Sequence, residues 1–203
     1  MTEPDNSPAI PEQHTGVATN TESGRDMGSH TQAREFFRIV RQRLLRPDAW
    51  HEFAGVATAD FALMDSSGNK VNRDIQKGDY LRIDIPGPGT VAGDGYDWVR
   101  VEDVVTTSRE DAEETVITVR PATSPSNTKP DVAHFFDSEA TSSFRVRREG
   151  SRVTAGVYGR NEKPNTGASS TVDKVRNATI AATAVSGLSK VQWKSLVTGL
   201  IKD

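Results

Sequence analysis

Two segments with alternating polar and apolar residues constrain the fold of this chain more than any other feature. In Tyr80–Ile85, the apolar Leu81, Ile83 and Ile85 alternate with polar side chains. The segment Trp98–Val104 repeats the alternation after a long loop rich in glycine and proline. Because successive side chains of a strand point to opposite faces, this period of two predicts half-buried antiparallel strands.

Further short strands are predicted between residues 58 and 160, where turn residues separate segments of high β-propensity such as Glu114–Arg120. Seven or eight such strands are typical of an antiparallel barrel or sandwich. The order of a Gly-Asp turn, a strand, a long loop and a strand containing Trp98 resembles the first hairpin of the bacterial SH3-like barrels. That resemblance implies a small β-barrel, SH3-like or related, for residues 58–160, and implies no functional residue.

The first 30 residues differ in composition from the rest of the chain. They are rich in Ser, Thr, Gly, Asn, Pro and acidic residues and contain no Phe, Trp or Tyr. Such a segment buries too little apolar surface to offset the entropy lost on ordering. We therefore predict a disordered tail at residues 1–30.

Residues 31–57 are predicted to form an amphipathic helical segment. Apolar residues recur every four positions from Phe36 to Leu44, and arginines surround them. The apolar stripe is expected to pack on the β-domain, with the arginines in solvent. The alternative is that Arg38 and Arg41 contact a phosphate backbone or an anionic partner.

Two helices are predicted at the C-terminus, after a linker at residues 161–170. We expect residues 171–203 to form a helical hairpin, in which Trp193, Leu196 and Leu200 share an apolar face. Two short helices are not stable alone. This face must therefore pack on the barrel, on a second copy or on another protein, and its three side chains are the predicted partner-binding residues.

The first of these helices carries a second stripe of small and β-branched residues. Val172, Val175 and Thr179 recur at helical spacing from Thr171 to Ser186. A stripe of this kind permits another helix to approach closely, so we interpret it as a packing face.

A basic cluster near residue 150 is the second candidate for nucleic-acid binding. Arg145, Arg147 and Arg148 precede the predicted turn at Glu149-Gly150, and Arg145 and Arg147 share one face of their strand. Together with Arg38 and Arg41 they are the predicted nucleic-acid contacts. The alternative is a solvated sheet face, or ion pairs with the acidic region 84–114.

Signals for catalysis or cofactor binding are weak. The chain has no cysteine, which excludes disulfides, thiolate metal sites and a cysteine nucleophile. The loop GPGTVAGDG leads into a strand and lacks the Gly-Lys-Ser/Thr ending of a phosphate-binding loop. His134 with Asp137 is the best available pair for acid–base chemistry. We expect no catalytic residue, no metal ligand and no cofactor.

Together these observations predict an α+β protein with a small antiparallel barrel, an N-terminal helix and a C-terminal helical hairpin. No apolar run approaches the roughly 20 residues of a membrane span, and a cytoplasmic location is expected. The predicted function is a non-enzymatic protein–protein interaction or assembly module, acting on another protein or on a second copy. The alternatives are a nucleic-acid-binding accessory protein and an enzyme of unrecognised type.

Overall fold

The predicted strands join one antiparallel sheet, which is much larger than an SH3-like barrel. The computed structural model describes residues 7–55, 59–85, 89–126, 131–186 and 188–203, without the side chains of 182–190. Within these residues the sheet has seven strands in the order β1-β7-β6-β5-β4-β3-β2. The strands are β1 Val17–Asp26, β2 Asp60–Met64, β3 Tyr80–Asp84, β4 Asp97–Ser108, β5 Ala112–Pro121, β6 Thr141–Glu149 and β7 Arg152–Glu162.

The prediction of an SH3-like barrel is therefore wrong. Strands β4 to β7 are 9 to 12 residues long and pair in sequence as a meander. These strands are much longer than the short strands expected of a small barrel. The sheet stays open in the described residues, with β1 and β2 at its two edges.

The edge strand β1 comes from the segment that was predicted to be disordered. Val17–Asp26 pairs with β7 over its whole length, from Val17 opposite Glu162 to Asp26 opposite Arg152. None of its ten side chains is fully buried. The strand is therefore stabilised by backbone hydrogen bonds to β7, which composition does not report. The expectation of disorder fails for these ten residues, and residues 1–6 of the predicted tail lie outside the described part.

The helices are α1 His30–Leu44, α2 Trp50–Ala54, α3 Thr171–Ser186 and α4 Leu188–Leu200. The helix predicted from residue 31 is confirmed, and Ser29 caps it by accepting a hydrogen bond from the Gln32 N–H. A short 3-10 turn, Pro47–Ala49, joins α1 to α2.

One face of the sheet, here called the inner face, carries the main hydrophobic core beneath α1, α2 and α4. At its centre Trp50 packs against Phe61 and Phe144, with ring centroids 5.2 and 4.6 Å away. Trp193 of α4 packs against Phe144 at 5.5 Å. The opposite face, here called the outer face, presents the alternate residues of the strands, including Arg145 and Tyr158.

The C-terminal helices do not form a separate helical hairpin, so that prediction is wrong. Helix α4 packs against α2, β1 and β7 as part of the main core. Its Gly199 lies so close to α2 that a Cβ atom there would be 1.9 Å from the Phe53 carbonyl oxygen. Helix α3 is held instead by the loop before β4 and the segment after β5, as described next.

Candidate functional site

Helix α3 has its polarity reversed relative to an ordinary surface helix. Its buried residues include Asp173, Arg176 and Asn177, which are at most 6% exposed. Val172 and Val175 are 66% and 65% exposed. A helix that only covered a core would bury the valines and expose the charges. The burial of the charged face therefore needs specific partners.

Asp173 holds the loop that precedes β4. Its two carboxylate oxygens accept hydrogen bonds from the backbone N–H groups of Val91 and Ala92, at 2.8 and 3.1 Å. The loop is closed by Gly93, whose N–H donates to Thr90 Oγ1 and whose carbonyl accepts from Trp98 Nε1. The described part of the glycine-rich loop, residues 89–97, is thus a docking surface for α3, whereas residues 86–88 lie outside the described part.

Arg176 makes a buried ion pair with Asp97, the first residue of β4. Its Nη1 lies 3.3 Å from Asp97 Oδ1, and its Nη2 donates to Asp97 Oδ2. The exposed fraction is 4% for the Arg176 side chain and 1% for that of Asp97. Asp97 Oδ1 also accepts the N–H of Phe135. Charge and hydrogen bonding are therefore satisfied inside the protein, as burial of an ion pair requires.

Two asparagines extend this buried polar network to the segment after β5. Asn177 Nδ2 donates to the Asn165 carbonyl at 3.1 Å. Asn165 Nδ2 donates in turn to the carbonyls of Val132 and His134, at 3.0 and 3.1 Å. The network fixes the rotation of α3 about its axis and so keeps Val172 and Val175 turned outward.

His134 is buried beside this network as a neutral imidazole. Its Nδ1 accepts the N–H of Phe136 at 3.0 Å, and its ring stacks on Phe135 with centroids 4.2 Å apart. Burial lowers the pKa of His134 to about 4. The Asp97 carboxylate and the Phe136 hydrogen bond oppose that effect, and Arg176 adds to it.

We expect His134 to destabilise the protein in acid. Between pH 6.5 and about 4 the unfolded histidine binds a proton that the folded one does not. The titration of His134 should therefore remove about 3 kcal/mol from the free energy of unfolding over this range, seen as the difference between the protein and a variant without the histidine. Urea unfolding at pH 7 and pH 4.5 measures the loss, with His134→Gln as the variant that lacks this titration. An equal loss in wild type and variant would contradict the prediction.

Three of the exposed large hydrophobic residues lie on the two segments that Asp173 joins, the loop before β4 and the start of α3. Val91, which is 53% exposed, is hydrogen-bonded through its N–H to Asp173, one residue from Val172. With Val175 one helical turn further along α3, they form a surface here called the apolar corner. Clustered exposed apolar side chains are characteristic of interaction sites, whereas single ones are normal.

The predicted partner-binding residues lie in the core instead. Leu196 and Leu200 are 1% and 2% exposed. Trp193 is partly buried, and its ring lies 6.3 Å from that of Phe61. The sequence left three alternatives for this face: the β-domain of the same chain, a second copy or another protein. In the structure, the face packs on the sheet of the same chain. Leu196 and Leu200 are therefore not accessible to another protein in this fold, and Trp193 is accessible only in part.

The predicted nucleic-acid contacts are divided between the two faces of the sheet. Arg145 on the outer face is buried, with Glu22 3.0 Å and Glu114 3.7 Å away. Arg148 on the inner face is fully buried, and its Nε donates to Glu113 at 2.7 Å. Buried, ion-paired guanidinium groups of this kind cannot reach a phosphate backbone.

The remaining predicted arginines do not complete a basic surface. Arg147 is half-buried and lies 3.1 Å from Glu149. On α1, Arg38 is exposed, and Arg41 donates from Nε to Thr115 Oγ1 at 3.2 Å. The alternative interpretation, ion pairing with the acidic region 84–114, describes Arg145 and Arg148 better than nucleic-acid binding does.

His134 and Asp137, the best available pair for acid–base chemistry, are not paired with each other in the structure. Asp137 Oδ1 accepts the N–H of Glu139, and the carboxylate that acts on His134 is that of Asp97. The described residues contain no group of three His, Asp or Glu side chains placed to hold a metal ion. Nor does any helix in the described part have the length and apolarity needed to cross a membrane.

No protein-family model matches this chain, and no curated protein matches it in sequence. Among solved structures, a hypothetical protein from Helicobacter pylori aligns over 91% of this chain and 88% of its own, with 12% identity and a TM-score of 0.48. Norcoclaurine synthase from Thalictrum flavum aligns over 96% of both chains, with 8% identity and a TM-score of 0.38. A protein from Arthrobacter aurescens aligns over 89% and 86%, with 10% identity and a TM-score of 0.36.

The structure itself defines the class of this protein: it is an α+β protein built on a seven-stranded antiparallel sheet. Similarities at this level assign it to no family and transfer no activity to it. Its function has to be argued from its own residues, of which the apolar corner and the buried network beneath α3 are the most distinctive.

Proposed function

We propose that this protein is a non-enzymatic interaction module that binds another protein chain through the apolar corner. The observation that carries the proposal is the reversed polarity of α3, which buries Asp173 and Arg176 and exposes Val172 and Val175. An exposed valine does not contribute the roughly 1.5–3 kcal/mol that full burial of such a side chain provides. A partner that covers the corner recovers that free energy.

The buried network supports this proposal because it prevents α3 from hiding its own valines. Turning the helix to bury Val172 would carry Arg176 away from Asp97 and leave that carboxylate buried without its charge partner. The cost of such an unpaired charge exceeds the gain from one buried valine. The apolar corner is thus a stable feature of the folded chain and is ready to bind without rearrangement.

The chemistry of the corner favours a helix with a small apolar face as its partner. Lys174 is exposed between the two valines, and beyond them the exposed side of α3 continues with the small, uncharged Ala178 and Thr179. Small side chains let two helices approach closely and pack ridges into grooves. Helix α3 itself has these features, so a second copy of this chain is the first partner to test.

We expect the double variant Val172→Lys, Val175→Lys to lose self-association without losing stability. Lysines at exposed helical positions change the free energy of unfolding by no more than about 0.5 kcal/mol, but they repel one another across a shared interface. Light scattering over a range of protein concentrations gives the mass of each form. Ile39→Lys, an exposed residue of α1, is the matched control. A wild-type mass that stays monomeric at every concentration would contradict self-association through this surface.

A further inference from the structure

Residues 7–16, here called the strap, cross the outer face of the sheet before β1 begins. At one end, Ser7 Oγ donates to Glu114 Oε1 of β5 at 2.7 Å. At the other end the strap is bound to Asn161 near the end of β7. Strand β6 lies between these two anchors. Ile10, midway along the strap, is buried.

Asn161 is the main anchor of the strap. Its Nδ2 donates to the Glu12 carbonyl at 3.1 Å, and its backbone N–H donates to Gln13 Oε1 at 2.8 Å. Its Oδ1 accepts the N–H groups of His14 and Thr15, at 2.8 and 3.0 Å. Asn161 adopts a φ of +55°, a left-handed conformation that asparagine tolerates better than most residues. One residue therefore holds four groups of the strap.

The strap joins β1 at Gly16, beside a buried carboxyl group. Gly16 has a φ of +65°, and a Cβ atom there would lie 2.5 Å from the Glu162 carbonyl oxygen. The Glu162 side chain is buried against Gly159 and Thr19, whose Oγ1 lies 3.4 Å from Oε2. The pairing of β1 with β7 is irregular between Val17 and Thr19. Opening this end of β1 would therefore remove Thr19 from the carboxyl group and expose it to water.

The charges around Glu162 do not compensate for its burial. Arg160 is the nearest cation, but its Nη1 donates to three neutral oxygens, those of the Thr19 and Gly159 carbonyls and Asn20 Oδ1. Glu12 and His14 on the strap are exposed, and so is Lys163. Burial accordingly raises the pKa of Glu162 to about 7, against the opposing effects of Thr19 and Arg160.

We propose that the strap is a gate over the outer sheet face, which opens when the Glu162 carboxyl group loses its proton. A carboxylate is far better solvated in water than in the closed site, so ionisation favours the conformation in which the strap and the start of β1 have moved away. With the closed-state pKa about 7 and the hydrated value near 4.5, the equilibrium constant for opening rises by up to tenfold per pH unit between these two values and levels off above pH 7. Opening releases the contacts of the strap with Glu114 and Asn161, which the apolar corner does not involve.

Thiol labelling of the full-length chain tests the gate, since the natural sequence contains no cysteine. Ile10→Cys places a single thiol under the strap, and Pro8→Cys places one at an exposed position of the same strap. The ratio of their reaction rates with a disulfide reagent reports the open fraction and cancels the titration of the thiol itself. We expect the ratio to rise by up to tenfold per pH unit from pH 5 to 7 and to level off above pH 7.

Two further substitutions separate the gate from general loosening. Glu162→Gln should abolish the pH dependence, and Asn161→Gly should raise the ratio at every pH while keeping its slope. A flat ratio in the Ile10→Cys chain, or the same rise after Glu162→Gln, would overturn the proposal.

Hydrogen exchange provides a second measurement. It uses the unsubstituted chain and therefore avoids any weakening of the strap by Ile10→Cys itself. The protection factors of the His14 and Thr15 amides should fall by up to tenfold per pH unit between about pH 5 and 7 and then level off, whereas that of Val157 in the core of β7 should not. Parallel loss at all three amides would show global opening and overturn the gate.

Discussion

Replacing Asp97 with alanine is expected to lower the free energy of unfolding by about 3–5 kcal/mol, because it leaves the Arg176 guanidinium buried without a counter-charge. The N–H of Phe135 loses its acceptor in the same variant. Urea unfolding at pH 7 measures the effect. Asp26→Ala, which breaks an exposed ion pair with Arg152, is the matched control and should cost at most about 1 kcal/mol.

The double variant Asp97→Ala, Arg176→Met distinguishes the cost of the unpaired charge from that of lost packing. Removing both charges should restore much of the stability, since an apolar pair needs no counter-ion. An Asp97→Ala variant as stable as the Asp26→Ala control would show that the ion pair does not hold α3. The argument for a fixed apolar corner would then fail.

Leu196→Ala is expected to destabilise the protein by about 2–5 kcal/mol. The side chain is almost fully buried in the main core, so truncation removes apolar contacts and leaves a cavity. Thr198→Ala, two residues away on the exposed side of α4, should change stability by no more than about 0.5 kcal/mol. The urea midpoints of the two variants, compared with that of the unsubstituted protein, measure the difference in stability.

This second result bears directly on where partners bind. If Leu196→Ala kept wild-type stability and altered only self-association, the face of Trp193 and Leu200 would be an interface after all. The burial of that face on the sheet predicts the opposite outcome. Partner binding is then left to the apolar corner, whose valines are exposed in the folded chain.

Local patterns predicted the elements better than their arrangement. The alternation in Tyr80–Ile85 correctly assigns Leu81 and Ile83 to the buried face of β3. The two C-terminal helices begin and end close to their predicted bounds. A strand in a seven-stranded sheet and a strand in a small barrel have the same period of two, so the periodicity does not distinguish the folds.

The candidate site was missed because the valine face of α3, rather than its polar face, was assigned to the interior. Asp173, Arg176 and Asn177 recur at the spacing of one helical face, as do Val172 and Val175 on another. The general rule that apolar faces turn inward selected the valines as the packing face. The polar set was the informative one, because three polar residues at that spacing also mark a face that partners elsewhere in the chain can bury.

The sequence by itself determined which residues share a face, since helical and extended backbones impose fixed periods on their side chains. It also determined that cysteine chemistry is absent. Only the tertiary structure decided which face turns inward, because the partner of Arg176 is Asp97, 79 residues away. The same holds for β1, whose polar side chains give no strand signal and whose place at the sheet edge depends on the backbone of β7.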